Sequence, residues 1–243
     1  MNKKVIYTAI FGDAHYLHDP EVISPGYDYI CITDSNQYTS DIWEIKKVTP
    51  LYSHGGLNNR KYKVLPHRFF NNYDISVYTD GDLKITSDLN DLVKNYTQYP
   101  LSVLDHSLCG INTTGNLNRR NCIYDEAAFI KWLGDNNPQK HYKDNINTIF
   151  NQMDRYKIEE YPVKNGLART SVIIRNHNNP LVIKVMEDWW LELKYWSKRD
   201  QLSFPYVCWK NNFKYTFIPE DIDFNPWFKL MKKWRQQQQL NKK

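Results

Sequence analysis

The chain has little cysteine and little glycine, with four cysteines and nine glycines among 243 residues. No two cysteines form a Cys-x-x-Cys pair, which argues against both a disulfide framework and a zinc site. The glycines form no Gly-x-Gly-x-x-Gly, Gly-x-x-x-x-Gly-Lys or Gly-x-Ser-x-Gly pattern. The common dinucleotide, P-loop and hydrolase motifs are therefore excluded. The seven histidines form no His-x-x-x-His pair, which excludes a zincin-type site.

Long apolar runs are also missing. No segment approaches the ~18–20 apolar residues that cross a bilayer. Residues 1–4 lead straight into a strand-like segment, without the pattern of a signal peptide. Scattered, unpaired cysteines are typical of a reducing compartment. We therefore predict a cytoplasmic protein, with a peripheral position at the inner membrane face as a further possibility.

What the chain does contain is enough apolar material for a core. Hydrophobic residues make up 41% and charged residues 24%, and the formal net charge is +5. This composition predicts a folded domain, and the mild positive excess does not indicate nucleic-acid binding. Aromatic residues reach 15%, which suits either a tyrosine-rich core or surfaces that stack on sugars and bases.

Apolar strand-like segments alternate with amphipathic helices along the chain. Strands are predicted at 5–11, 27–33, 42–48, 75–79, 102–104, 167–175 and 215–218, and helices at 57–71, 123–133, 142–156, 180–196 and 202–210. This alternation predicts an α/β fold with a mostly parallel central sheet and helices on both faces. We assign residues 1–218 to one domain and residues 219–243 to a tail. Ligands of such sheets bind beyond the carboxyl ends of the strands.

One such strand end carries Asp80-Gly81-Asp82. Carboxylates at positions i and i+2 of an extended chain point the same way, and the glycine lets a ligand approach the backbone. One or two carboxylates together with substrate phosphates are a common way to hold Mg²⁺, and Mn²⁺ accepts the same ligands. The alternative is an ordinary Asp-Gly turn.

The helix that precedes this strand presents Arg60, Lys63 and His67 at the spacing of one helical face. Arginine and lysine are natural partners of a diphosphate. The face therefore predicts a contact with a nucleotide diphosphate, with a solvated helix face as the alternative.

Two further groups sit at predicted helix starts. In Arg199-Asp200-Gln201, the carboxylate either caps the next helix or lies beside a reacting sugar. Asp125 and Glu126 either complement a helix dipole, or Glu126 is buried and holds or deprotonates an acceptor hydroxyl.

Beyond residue 218, aromatic and basic side chains alternate. The aromatic and apolar residues are Trp227, Phe228, Leu230, Met231 and Trp234, and the basic ones are Lys229, Lys232, Lys233 and Arg235. Such a segment suits an anionic membrane surface. The alternative is that Trp227 and Phe228 pack back on the domain.

Several motifs occur together and in order. They are residues 5–12, 29–34, 60–67, 80–82, 124–127 and 199–204. Together they resemble the glycosyltransferase-like domain family named after the plant turgor-regulation-defect and mucilage-related proteins, and more broadly a GT-A-fold transferase. The resemblance covers roughly residues 3–218.

The resemblance implies a GT-A-like fold and a set of site residues. Thr8, Ala9 and Phe11 would border the nucleotide base, and Asp34 would face the base or the ribose. The donor site would be lined by Arg60, Lys63, His67, Gly81 and Arg199, and Mn²⁺ or Mg²⁺ would be held by Asp80 and Asp82. Asp200, Gln201 and Glu126 would act at the transferred sugar and the acceptor. The third metal ligand is open, since no histidine follows His177. The role of His106 is open too, because the stretch after it reads as an inserted loop.

The predicted function is metal-dependent transfer of a hexosyl or uronosyl group from a nucleotide-sugar, a UDP-sugar above all, to a glycan or a lipid-linked acceptor. The Asp-Gln pair favours retention of anomeric configuration. The alternatives are a nucleotidyltransferase, a nucleotide-sugar phosphohydrolase and a non-catalytic sugar-binding relative.

Overall fold

A computed structural model describes residues 3–12, 15–108, 120–136 and 144–231. Its strands are β1 (Lys4–Ile10), β2 (Tyr27–Thr33), β3 (Glu44–Lys47), β4 (Ile75–Thr79), β5 (Leu83–Ile85), β6 (Leu101–Asp105), β7 (Ala168–Arg175), β8 (Thr216–Ile218) and β9 (Phe228–Leu230). Its α-helices are α1 (Gly55–Val64), α2 (Asn90–Tyr96), α3 (Ile123–Asn136), α4 (Ile146–Ile158), α5 (Pro180–Tyr195) and α6 (Asp200–Lys210).

Seven of these strands form one sheet in the order β3-β2-β1-β4-β7-β6-β8. Strand β1 is parallel to β2 and β4, β2 is parallel to β3, and β6 is parallel to β8. Within the described residues, β7 alone runs against its neighbours, β4 and β6. The predicted α/β fold with a mostly parallel central sheet is confirmed by these strand directions.

Alternate side chains of each strand enter two different cores. Val5, Tyr7 and Ala9 of β1 pack with apolar residues of α1, α3, α4, α5 and α6 on one face of the sheet. Ile6 and Ile10 pack on the other face with residues of α2 and of a two-stranded sheet made by β5 and β9. Both faces are covered, as a mostly parallel sheet requires.

Helix α1 is shorter than the predicted helix over residues 57–71. It ends at Val64, and Pro66 opens a separate 3₁₀ turn, Pro66–Arg68. Proline restricts the residue before it and has no N–H to continue the helical bonding. His67 therefore leaves the helical face on which the sequence places it, whereas Arg60 and Lys63 stay on α1.

The residues after 218 pack against the domain. Strand β9 pairs antiparallel with β5, and the Met231 amide donates to the Asp82 carbonyl over 2.7 Å. Phe228 is only 4% exposed, and Ile222 is also part of the second core. Of the two interpretations of this segment, the structure shows the one in which Trp227 and Phe228 pack back. Residues 232–243, with the remaining basic residues, lie outside the described part of the chain.

Two further features of the structure bear on membrane spanning and on the cysteines. Among the described helices, none has the length and apolar character needed to cross a membrane. Cys31, Cys122 and Cys208 are buried free thiols, and Cys109 lies outside the described residues.

Candidate active site

A cleft of about 560 Å³ opens at the edge of the main sheet where β1 and β4 end and β7 begins. Because β7 is antiparallel, its first residues lie beside the last residues of β4. The Asp80 amide donates to the Ser171 carbonyl over 2.8 Å. The sites predicted at strand ends and at the start of α6 thus meet at one place, in line with the rule for open α/β sheets.

Asp80, Gly81 and Asp82 form the floor of the cleft. Gly81 is buried, and a Cβ atom there would lie 2.8 Å from Cγ1 of Ile10. A side chain at this position would require Ile10 to shift, so packing favours glycine here. Asp80 accepts a hydrogen bond from the Tyr78 hydroxyl at 2.9 Å, whereas Asp82 lines the cleft without a side-chain hydrogen bond or ion pair to any described residue.

A buried cation connects two of the carboxylates. Nζ of Lys63 lies 2.5 Å from Oδ2 of Asp200 and 3.2 Å from Oδ1 of Asp80. Nε of Arg60 lies 3.4 Å from the same Asp200 oxygen. Desolvation of charges is expensive unless they are paired, and these charges are paired in a compact group.

Asp200 is in the first turn of α6 but does not cap it. The N-cap position is Arg199, which makes no side-chain capping bond. The Asp200 carboxylate accepts a hydrogen bond from the Thr170 hydroxyl at 2.9 Å. Although burial favours the neutral acid, Arg60 and Lys63 outweigh it and hold the pKa of Asp200 far below its usual range. Asp200 is therefore an ionised carboxylate under all ordinary conditions.

Glu126 of α3 is a second buried carboxylate of the cleft. Nε of Arg120 lies 2.6 Å from its Oε2, and a guanidinium nitrogen of Arg199 lies 3.3 Å from its Oε1. The same Arg199 nitrogen donates to Gln201 Oε1 at 3.4 Å. Arg199 thereby links α3 to the start of α6.

His106 lines the cleft next to this group. It is 4% exposed, and burial lowers its pKa to about 4. A guanidinium nitrogen of Arg120 approaches Nε2 of the ring at 3.5 Å. An imidazole with this pKa is neutral near pH 7, so His106 offers hydrogen bonding but no positive charge.

The opposite end of the cleft is formed by β1 and the start of α1. Ala9, Phe11, Gly55 and Gly56 line it, and the Asn59 amide donates to the Ala9 carbonyl. Phe11 stacks on Tyr62 with a centroid distance of 5.5 Å. Ala9 and Phe11 give this end of the cleft an apolar surface.

The predicted residues are not all equally close to the cleft. Ala9, Phe11, Arg60, Asp80, Gly81, Asp82, Glu126, Arg199, Asp200 and Gln201 line it directly. Lys63 reaches it through Asp80 and Asp200. Thr8 is buried within β1, and Asp34 accepts a hydrogen bond from the Gly12 amide at 3.1 Å.

His67, like Thr8 and Asp34, is a predicted donor-site residue that does not line the cleft. Its Nε2 lies 2.7 Å from Oε1 of Glu187 on α5. The physical reason is the end of α1 before Pro66, which turns His67 toward α5.

The sequence analysis assigns no role to several residues that line the cleft. They are Asn59, His106, Arg120, Arg169 and Thr170. Asn59 directly precedes the predicted site residue Arg60 on α1, and this position could have identified it as a residue near the cleft. Arg169 and Thr170 open β7 and reach the site because that strand is reversed, which periodicity does not reveal.

The side chains at the cleft floor supply some of the oxygen ligands that a hard divalent cation needs. Asp82 and the second oxygen of Asp80 make no described side-chain hydrogen bond, so carboxylate oxygens are available at the cleft floor. Across the described ranges there is no group of three or more His, Cys, Asp and Glu side chains suited to hold a metal ion. Two carboxylates fit a site that substrate phosphates complete, which is a common arrangement for Mg²⁺.

Comparison with known proteins identifies the family. The model described as TOD1/MUCI70, glycosyltransferase-like domain, matches residues 27–222. The chain belongs to this family. The resemblance found from sequence motifs is therefore confirmed, and the chain carries the glycosyltransferase-like domain of this TOD1/MUCI70 family.

A curated relative agrees with this assignment. The probable hexosyltransferase MUCI70 of Arabidopsis thaliana is 29% identical over 178 residues, which cover 68% of the chain. The match spans only 27% of the relative's length.

Two solved structures are similar over 90% of the chain. The apo structure of the bifunctional glycosyltransferase WbbM gives a TM-score of 0.48 at 11% identity and is covered over 39% of its length. Apo mouse xyloside xylosyltransferase 1 gives a TM-score of 0.46 at 10% identity and is covered over 85%.

Proposed function

We propose that this TOD1/MUCI70 domain transfers a hexosyl or uronosyl group from a nucleotide-sugar, of the UDP-sugar type, to a glycan or a lipid-linked acceptor in a metal-dependent reaction. The observation that carries the proposal is the arrangement at the cleft floor. Two carboxylates with available oxygens, Asp80 and Asp82, adjoin the buried group of Lys63, Arg60 and Asp200. An apolar end suited to a base adjoins them on one side, and a polar end suited to a sugar adjoins them on the other.

Asp80 and Asp82 would hold the Mn²⁺ or Mg²⁺ ion. Such an ion, when bound, supplies Lewis-acid stabilisation of the charge that develops on a departing diphosphate. Arg60 adds fixed positive charge at the same place, since it lines the cleft beside Asp80. Preorganised charge of this kind stabilises a transition state without reorganising at the moment of reaction.

The state of the two buried carboxylates supports retention rather than inversion. An inverting transferase needs a carboxylate or another base to accept the acceptor proton. Asp200 has a strongly lowered pKa and is a weak base, and Glu126 is bound on both oxygens by arginines. In this proposal Asp200 orients the donor sugar and stabilises positive charge at the anomeric carbon, while Gln201 beside it adds hydrogen bonding to the sugar. Glu126 positions Arg120 and Arg199.

Calorimetry with UDP, with and without Mn²⁺, tests the donor site. We expect Mn²⁺ to strengthen UDP binding, and Asp82→Asn to remove this effect without changing the fold, because its carboxylate makes no contact that the fold needs. Asp80→Asn removes it too, with some loss of stability through Lys63. The exposed Asp154→Asn is the matched control.

Equal UDP affinity with and without Mn²⁺ in the unaltered protein would contradict the metal role.

The identity of the nucleotide product separates the rival activities. A glycosyltransferase releases UDP, and a phosphohydrolase releases UMP and sugar 1-phosphate. A nucleotidyltransferase leaves the uridylyl group on its acceptor and releases sugar 1-phosphate without free UMP. A sugar-binding relative without activity releases none of these products.

We further propose a cytoplasmic protein that touches the inner membrane face through its C-terminal basic residues. The exposed side chains of Lys229 and Leu230 at the end of β9 support this idea, since they lead directly into that basic segment. Contact of this kind would bring the cleft to a lipid-linked acceptor.

A further inference from the structure

Helix α3 carries an aromatic ledge at the mouth of the cleft, formed by Phe129, Trp132 and Leu133. Phe129 and Leu133 line the cleft, and Trp132 lies one helical turn beyond Phe129 with 53% of its surface exposed. The rings of Phe129 and Trp132 are nearly parallel, with an angle of 19° and a centroid distance of 5.8 Å. Exposure of a tryptophan costs free energy, so an exposed one beside a cleft points to a ligand.

The ledge continues the sugar end of the cleft. The Arg120 guanidinium packs over the Phe129 ring at 3.9 Å and also binds Glu126. Glu126 in turn contacts Arg199, the residue before Asp200. The ledge is thereby connected to the proposed donor-sugar site through Arg120, Glu126 and Arg199. A molecule on the ledge would therefore meet the transferred sugar rather than the nucleotide.

The chemistry of the ledge suits a saccharide. One face of a pyranose ring is apolar and its rim is polar, so it stacks on an aromatic ring whose surroundings are polar. Around Trp132 the exposed neighbours are Lys131, Asp135 and Asn136, and Lys131 pairs with Asp135 at 2.5 Å. A second copy of the chain would need a wider apolar patch than this narrow one, since protein interfaces bury about 800 Å² on each partner.

We propose that Phe129 and Trp132 form an acceptor subsite, on which a sugar ring of a glycan acceptor stacks while its reacting hydroxyl enters the cleft. The inference rests on the proposed function and adds to it a binding site and a class of ligand. The sugar ring that stacks on Phe129 and Trp132 would be the neighbour, within the acceptor glycan, of the sugar unit that is glycosylated.

The test uses protein labelled with 5-fluorotryptophan and observed by ¹⁹F NMR in the presence of UDP and Mn²⁺. The Trp132→Phe variant assigns the Trp132 signal. The probes are defined tetrasaccharides of glucose, galactose, mannose and galacturonate. We expect at least one to shift the Trp132 signal saturably. Phe129→Ala should weaken that saccharide by about five- to tenfold, the range for loss of one ring contact.

Tyr195→Ala is the matched control, because Tyr195 is an aromatic residue of α5 with 68% exposure, and neither it nor any other part of α5 lines the cleft. It should leave saccharide affinity unchanged. The proposal is overturned if no probe moves the Trp132 signal, if Phe129→Ala and Tyr195→Ala behave alike, or if the signal depends on protein concentration, as in a dimer. UDP affinity is measured separately by calorimetry, so that failure of the ledge and failure of the donor site are told apart.

Discussion

The Lys63 ammonium lies 2.5 Å from the Asp200 carboxylate, although 137 residues separate the two in the chain. The same ammonium lies 3.2 Å from Asp80. One side chain of α1 thus fixes the start of α6 relative to the carboxylate that follows β4. The Asp80 and Asp200 carboxylates are therefore held in place by one ammonium group.

Asp200→Asn should lower turnover by about two or more orders of magnitude, the usual loss for one electrostatic group. Asparagine keeps the hydrogen-bonding shape but loses the charge that matters most in the transition state. UDP affinity should change far less. Single-turnover transfer, measured alongside calorimetry, checks this. Near-normal turnover would move the catalytic assignment to Glu126.

Lys63→Met should destabilise the protein by about 3 kcal/mol, because it leaves the buried Asp200 carboxylate with only the Thr170 hydroxyl and the more distant Arg60 beside it. Urea unfolding measures the change. Lys157→Met removes an exposed ion pair with Asp154 and should cost less than about 1 kcal/mol. Equal costs for the two variants would show that the buried pair adds nothing to the free energy of unfolding.

Two buried histidines should make the protein less stable in mild acid. Burial lowers the pKa of both His106 and His177 to about 4, against about 6.5 in the unfolded chain. Between these values the unfolded state binds more protons, so stability is full above about pH 6.5 and falls as the pH drops toward 4. The slope is at most about 1.4 kcal/mol per pH unit for each histidine.

Urea unfolding at a series of pH values from 7.5 to 4.5 tests the histidine prediction. His106→Gln and His177→Gln should each flatten the pH dependence. His54→Asn is the control, since His54 is exposed and caps α1, a position that asparagine also suits. An unchanged profile in both glutamine variants would assign the acid sensitivity to other groups.

Truncation after Met231 separates the two roles of the C-terminal segment. It keeps β9 and its buried Phe228, so stability should be unchanged, while binding to anionic liposomes should fall. Truncation after Pro226 also removes β9 and should destabilise the domain by exposing Leu83 and Ile85 of β5. Full liposome binding after loss of residues 232–243 would refute the membrane contact.

The long elements were predictable because their apolar patterns are strong. The predicted helix over residues 180–196 is observed as α5, and its apolar stripe, with Val182, Val185 and Trp189, is buried as expected. Strand β5, helix α2 and strand β9 were not predicted, because segments of three to seven residues carry too little periodicity.

The candidate site was predictable in part for a similar reason. Asp80 and Asp82 follow a strand directly, so strand ends alone bring them to the cleft. The contact between Lys63 and Asp200 depends on the packing of both α1 and α6 against α5, which no local pattern encodes. The helical face predicted for His67 is not observed, because a 3.6-residue period was extended past the end of α1 at Val64.

The reversed direction of β7 has a consequence for how this domain could diversify. In an all-parallel sheet, only the connections that follow strands reach the ligand edge. Here the connection that precedes β7, residues 159–167, reaches that edge as well, since β7 opens with Arg169 and Thr170 in the cleft. It contains Glu160, Lys164 and Gly166 in the left-handed region, so its path is held by tight turns. Insertions there would reshape the cleft entrance without touching the strand that carries Asp80.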